Sequence, residues 1–220
     1  MSPYTRPLVR VYLLDDHDIV RQGLRDLLAP AEDIHVVGDS AHARTAAEDI
    51  LRLRPDVMLL DLQLQDGSGI QVCRKVRSAD DSVRAVLLTS AGDEDALVAT
   101  ILAGASGFVV KVAGTSDIAS AIRRVGAGRS LLDTSASERA RTLLRDRARA
   151  ARPSLSEIEL ELLDHLAAGA TDRELADRLN ASETEIEAVV TDLALRVVTV
   201  SRPATTFLNS AGPGKHRRQV

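Results

Sequence analysis

Five short apolar runs, each ending in or followed by a polar residue, alternate with amphipathic stretches through the first 126 residues. The runs are LVRVYLL (8–14), IHVVGDS (34–40), DVMLLD (56–61), VRAVLLTS (83–90) and GFVVK (107–111). Between and after them lie IVRQGLRDLLA (19–29), ARTAAEDILRLR (43–54), GIQVCRKVRS (69–78), DEDALVATILAG (93–104) and SDIASAIRRVG (116–126), whose apolar residues recur with helical spacing. A strand that is apolar almost throughout is buried on both faces. Such strands separated by helices predict an α/β fold, a five-stranded parallel doubly wound sheet with helices on both sides.

The pattern changes after Gly128. Residues 137–154, SERARTLLRDRARAARPS, are rich in Arg and Ala and read as a partly helical linker ending at Pro153. Its arginines (Arg139, Arg141, Arg145, Arg147, Arg149, Arg152) read as a solvated, mobile segment. Three helical patterns follow: LSEIELELLDHLAAG (155–169), TDRELADRLN (171–180) and SETEIEAVVTDLALRVV (182–198). Ser154, Thr171 and Ser182 are the expected N-caps, with Gly169 and Asn180 as stops. The division expected is 1–128 for the α/β domain, 129–153 for the linker, 154–210 for a small all-α domain, and 211–220 for a disordered, locally basic tail. A chain of 220 residues suits two such domains.

Aromatic residues make up only 2%, so the core is aliphatic. The net charge of -4 gives no global attraction to polyanions. One cysteine, Cys73, excludes an intrachain disulfide and a thiolate metal cluster. No stretch is long enough to span a membrane, and acids interrupt the N-terminal apolar run, so a cytoplasmic location and no membrane partner are expected.

In doubly wound sheets, ligands gather at the carboxyl ends of the strands. Here those ends carry Asp15 and Asp16, Asp61, Thr89 and Ser90, and Lys111. Clustered carboxylates repel one another, and a hard cation such as Mg²⁺ relieves the repulsion. A carboxylate beside such a cation can attack phosphorus to form an acyl phosphate, while a lysine neutralises the transferring group and a hydroxyl reads the new oxygens.

The motifs LLDDH, LLDLQLQDGSG, LLTS and GFVVK resemble the receiver domain of two-component response regulators, over residues 8–126. The resemblance implies a flavodoxin-like fold with Asp61 as phosphoacceptor. It implies Mg²⁺ held by Asp15, Asp16, Asp61 and the backbone carbonyl of Gln63, and Lys111 on the phosphoryl group. Thr89 and Phe108 would form the switch pair. It also implies a sensor histidine kinase as partner and a homodimer, or a heterodimer with a related regulator. Gln65 stands where the family often has proline, which is expected to loosen that loop. LAGASGFVVK and VGAGRSLLD are similar to the dormancy (hypoxia-response) regulators of mycobacteria and other actinobacteria, in the NarL/FixJ class with its LuxR-type helix-turn-helix output. The implied protein is a regulator rather than an enzyme. A phosphohydrolase on a similar sheet would want a D-x-D pattern on the first strand, where this chain has adjacent aspartates.

The last helical pattern keeps the LuxR-type scaffold and changes its reading face. The family typically shows SEKTVKNHV; this chain has SETEIEAVV, and no Lys or Arg occurs between 179 and 195. The DNA-contacting positions carried over by the resemblance are Thr171, Thr184, Glu187 and Ala188. Cations contacting phosphate supply most nonspecific affinity, so acids here oppose it. Two outputs follow: a transcription regulator with altered DNA contacts, or a phosphorylation-dependent protein-interaction module or phosphoryl sink.

Overall fold

The computed structural model describes residues 7–90, 93–111, 115–168 and 170–199. Its N-terminal part contains β1 (Val9–Leu14), α1 (Asp18–Leu28), β2 (Ile34–Ser40), α2 (Ala43–Leu53) and β3 (Val57–Asp61). There follow a two-strand ribbon, β4 (Gln63–Leu64) and β5 (Gly67–Ser68), then α3 (Gly69–Ala79), β6 (Arg84–Thr89), α4 (Asp93–Ala103), β7 (Phe108–Val110) and α5 (Thr115–Gly126). The main sheet is parallel, in the order β2-β1-β3-β6-β7. This is the five-stranded flavodoxin-like arrangement. Its order reverses between β1 and β3, which opens a crevice at their carboxyl ends.

Strand alternation sorts the core onto two faces. Val9, Val11 and Leu13 of β1 and Val57 and Leu59 of β3 pack with Leu24 and Leu28 of α1 and Ile118 and Ile122 of α5. Tyr12, Leu14, Met58 and Leu60 point the other way, against Ala46 and Ile50 of α2, Ile70 and Val76 of α3, and Val98 and Leu102 of α4.

The C-terminal part is helical: α6 (Thr134–Ala150), a 3-10 turn (Arg152–Ser154), α7 (Glu157–Ala168), α8 (Asp172–Leu179) and α9 (Glu183–Thr199). Three reciprocal capping boxes start the last three helices. Glu159, Glu174 and Glu185 accept the backbone N–H of Ser156, Thr171 and Ser182 at 2.6, 2.8 and 2.8 Å, and each N-cap hydroxyl accepts the corresponding glutamate N–H. The cap of α7 is thus Ser156, not Ser154. Both serines have a glutamate three residues on, but Ser154 is taken up by the turn that holds Pro153. Asn180 ends α8 in the left-handed region, at φ 50°. The expected stop at Gly169, the stretch beyond 199 and the tail lie outside the described residues.

Arg139, Arg145, Arg149 and Arg152 of the linker are exposed as expected, but one face of its helix is covered. Ala140, Leu144 and Ala148, four residues apart, bury one stripe of α6, which lies against α4. Arg139 pairs with Glu94 at 3.1 Å and Arg147 with Asp95 at 2.6 Å. The same apolar cluster that covers the α2–α4 face of the sheet continues through Leu144 into Leu162, Leu166, Ile186, Val190 and Leu193. α9 lies against α3 and α4.

Candidate functional site

The crevice is acidic. Asp15 and Asp16 follow β1, Asp61 closes β3, Thr89 closes β6 and Lys111 follows β7. Asp15 is fully buried, and Asp61 and Thr89 are nearly so. Lys111 Nζ lies 2.7 Å from Asp15 Oδ2 and 2.8 Å from Asp61 Oδ2. His17, unassigned from sequence, donates its backbone N–H to Asp15 Oδ1 at 2.9 Å, and its Nδ1 lies 2.7 Å from Asp16 Oδ1. Ligand atoms of Asp15, Asp16, His17 and Asp61 all fall within 4.8 Å of one another. Asp15 and Asp61 share a single ammonium, and a set of carboxylate oxygens gathered this closely fits a hard divalent cation.

Burial holds the Asp61 carboxyl above its ordinary range. Lys111 opposes the shift, Asp15 adds to it, and the Gln63 N–H opposes it weakly. Burial alone would lower the Lys111 ammonium, but its hydrogen bonds to Asp15 and Asp61 prevail and raise it. The pocket therefore contains one cation held firmly in its charged form.

Close packing supports Asp61 from behind. A Cβ at Gly69 would lie 2.3 Å from the Asp61 carbonyl oxygen, so glycine allows α3 to start directly against β3. Sequence reading placed Gly69 at the start of a helix and did not see this contact, which is between elements. The expected looseness at Gln65 is absent. Its backbone N–H donates to Asp16 Oδ2 at 3.1 Å, a bond that proline cannot make. Asp66 accepts the N–H of Ala43 at 2.9 Å, tying the same loop to the start of α2. Phe108, half-buried, stands opposite Leu87 in the β6–β7 pairing, and Val110 stands opposite Thr89.

The four candidate DNA-contacting residues belong to the start of α8 and to α9, and they differ in their surroundings. The Thr171 hydroxyl is engaged in its capping box. Thr184 and Ala188 are exposed on α9. Glu187 is half-buried; burial raises its carboxyl, and Lys75 and Arg74 of α3 oppose that shift.

A parallel sheet of this order with this pocket defines the receiver of two-component signalling, and the chain belongs to the response regulators. Residues 11–123 match the family described as the response regulator receiver domain. Among its relatives is the DNA-binding transcriptional activator DevR/DosR of Mycobacterium tuberculosis, 38% identical over 94% of this chain and 99% of that protein. The transcriptional regulatory protein LiaR of Bacillus subtilis is 30% identical over 84% of this chain and 89% of LiaR. A crystal structure of a LuxR-family two-component response regulator from Aurantimonas sp. SI85-9A1 matches 60% of this chain and 95% of its own, with 30% identity and a TM-score of 0.55. Salmonella typhimurium RcsB, at 24% identity, shares the fold over 90% of this chain and 95% of its own, with a TM-score of 0.52. Among the described residues, no helix is long and apolar enough to cross a membrane.

Proposed function

We propose that this response regulator is switched by phosphorylation of Asp61 and acts in transcription regulation through residues 154–210. The observation that carries the reading is the pairing of one ammonium, Lys111, with two buried carboxylates, one of them Asp61. An Asp61 oxygen attacks the phosphorus of a histidine kinase's phosphoimidazole, or of a small acyl phosphate. The new O–P bond forms as the P–N or P–O bond to the donor breaks, and imidazole or carboxylate leaves. Lys111 faces the incoming phosphoryl oxygens and gains a further anionic partner. Mg²⁺, held by Asp15, Asp16, Asp61 and the Gln63 carbonyl, would neutralise charge on the transferring group. Thr89 reads the new oxygens, and Phe108 and α4 follow, shifting a two-state equilibrium. Residues 1–128 are the receiver and 129–153 the joining segment.

Response regulators work with sensor histidine kinases and dimerise, and both partners are expected here. A second reading of the output is favoured by Glu187 and Asp172, which face the receiver as acids: regulation by protein contact, with no specific DNA site. The experiment is to compare wild type and Asp61→Asn after treatment with acetyl phosphate and Mg²⁺. The readouts are oligomeric state and retention on a pool of genomic fragments across a salt series. A change in either that requires Asp61 supports the switch; identical behaviour of the two proteins overturns it.

A further inference from the structure

We propose that the Gln65 backbone amide is a positioning group for the cation site, holding Asp16 in place for Mg²⁺ where the proline usual at this position cannot. The inference rests on the reading of the crevice as a Mg²⁺-dependent phosphoacceptor site.

The two acids that follow β1 are anchored differently. Asp15 is fixed on every side. Its N–H donates to the Ser40 carbonyl at 3.3 Å, and its own carbonyl accepts Arg21 Nη1 at 2.7 Å. Its carboxylate meets the His17 N–H at 2.9 Å and Lys111 Nζ at 2.7 Å. Asp16 lies one residue further from the strand, which ends at Leu14. Its carboxylate meets His17 Nδ1 at 2.7 Å on one oxygen and the Gln65 N–H at 3.1 Å on the other. The His17 side chain is 61% exposed and can turn to solvent. The Gln65 amide is backbone and cannot.

The donor is itself held. Gln63 pairs with Ser68 and Leu64 with Gly67, which leaves Gln65 and Asp66 at the tip of the β4–β5 ribbon. Asp66 accepts the N–H of Ala43 at 2.9 Å and that of Arg44 at 3.4 Å, so the tip is tied to the start of α2. One tip residue thus anchors the ribbon, and the residue before it reaches across to Asp16. The ribbon also carries the Gln63 carbonyl, so the bond sets two cation ligands from different strands relative to each other. A neutral N–H orients a carboxylate without cancelling its charge. Proline has no N–H to give. Gln65 is exposed, so its backbone rather than its side chain supplies the effect.

The test measures Mg²⁺ binding to the full chain by calorimetry, with no phosphodonor present. Gln65→Pro removes the donor and Gln65→Ala keeps it. The proline variant is expected to bind Mg²⁺ about ten-fold more weakly or worse, the usual cost of losing a group that orients a metal ligand, and the alanine variant to stay within about two-fold of wild type. In acetyl phosphate labelling, Gln65→Pro should need a correspondingly higher Mg²⁺ concentration for half-maximal rate and reach the wild-type rate at saturation, because Asp61 and Lys111 are untouched. Hydrogen exchange of the Gln65 amide in wild type gives a check that needs no variant: it should exchange more slowly than in the unfolded chain. Equal or tighter Mg²⁺ binding by Gln65→Pro overturns the proposal. So does an equal loss in Gln65→Ala, a lowered saturating rate with unchanged Mg²⁺ affinity, or an unprotected Gln65 amide. Absence of Mg²⁺ binding by wild type would strike the cation reading itself, and this proposal with it.

Discussion

Lys111 Nζ lies 2.8 Å from Asp61 Oδ2 while also touching Asp15, so a single ammonium separates two buried carboxylates. Lys111→Ala brings those carboxylates face to face. Labelling of Asp61 by acetyl phosphate should fall about a hundred-fold, as is usual when one preorganised charge at a developing anion is removed. Initial rates of labelling, with circular dichroism as the control for folding, check this. A rate within about two-fold of wild type would remove Lys111 from the chemistry.

Gly69→Ala places a methyl 2.3 Å from the Asp61 carbonyl oxygen, with the Asp61 backbone carbon also close. Backbone cannot swing aside as a flexible side chain can, so α3 or β3 must shift. The expected result is destabilisation of about 1–3 kcal/mol in denaturant unfolding, together with slower labelling at Asp61. Gly23, where nothing lies within 4 Å of an added Cβ, is the control: Gly23→Ala should keep full labelling.

Thr171→Ala distinguishes a cap from a DNA contact. The Thr171 hydroxyl accepts the Glu174 N–H, and Glu174 accepts the Thr171 N–H at 2.8 Å. The variant should lose about 1 kcal/mol of stability by denaturant unfolding and leave retention on nucleic acid unchanged. A specific loss of DNA retention without loss of stability would restore Thr171 to a reading role.

The capping glutamates give the helical segment a pH signature. Backbone hydrogen bonds hold the carboxyls of Glu159, Glu174 and Glu185 below the ordinary 4.5. A depressed folded-state value means that the unfolded chain binds protons first on acidification. The stabilisation is therefore present above pH 4.5 and is lost as pH falls through the depressed values. Amide protection at the starts of α7, α8 and α9 should decline in that window, and replacing Glu174 and Glu185 with Ala should flatten the decline.

Thr89 closes β6 beside the pocket and is buried. Thr89→Ala should leave labelling within about three-fold of wild type, yet abolish the phosphorylation-dependent change in exchange of α4 and α9. If that change persists, the signal reaches α4 by another route.

The strand ends were legible in the sequence because a doubly wound sheet brings the carboxyl end of every strand to one edge. Asp15, Asp61, Thr89 and Lys111 could be placed from order alone. Contacts between elements were not legible in the same way. Gly69 reads as the first residue of a helix, and only the fold shows that it backs Asp61. Gln65 reads as a weakened proline position, but its N–H reaches Asp16, which is 49 residues away in sequence. Ser154 and Ser156 offer the same local capping pattern, and the turn around Pro153 decides between them. The linker arginines look solvated because the acids that pair with Arg139 and Arg147 lie on α4, more than forty residues earlier. The acids of α9 were legible as an anomaly, but their basic counterpart on α3 required the tertiary arrangement.

The most direct test of the account is the intact mass of the full-length chain after incubation with acetyl phosphate, with and without Mg²⁺, beside Asp61→Asn. The account predicts one added phosphoryl group in wild type with Mg²⁺, mapped to Asp61 by reductive cleavage of the acyl phosphate, and none in the variant or with the cation chelated. A phosphoryl group on Asp61→Asn, or equal labelling of wild type without Mg²⁺, would contradict it.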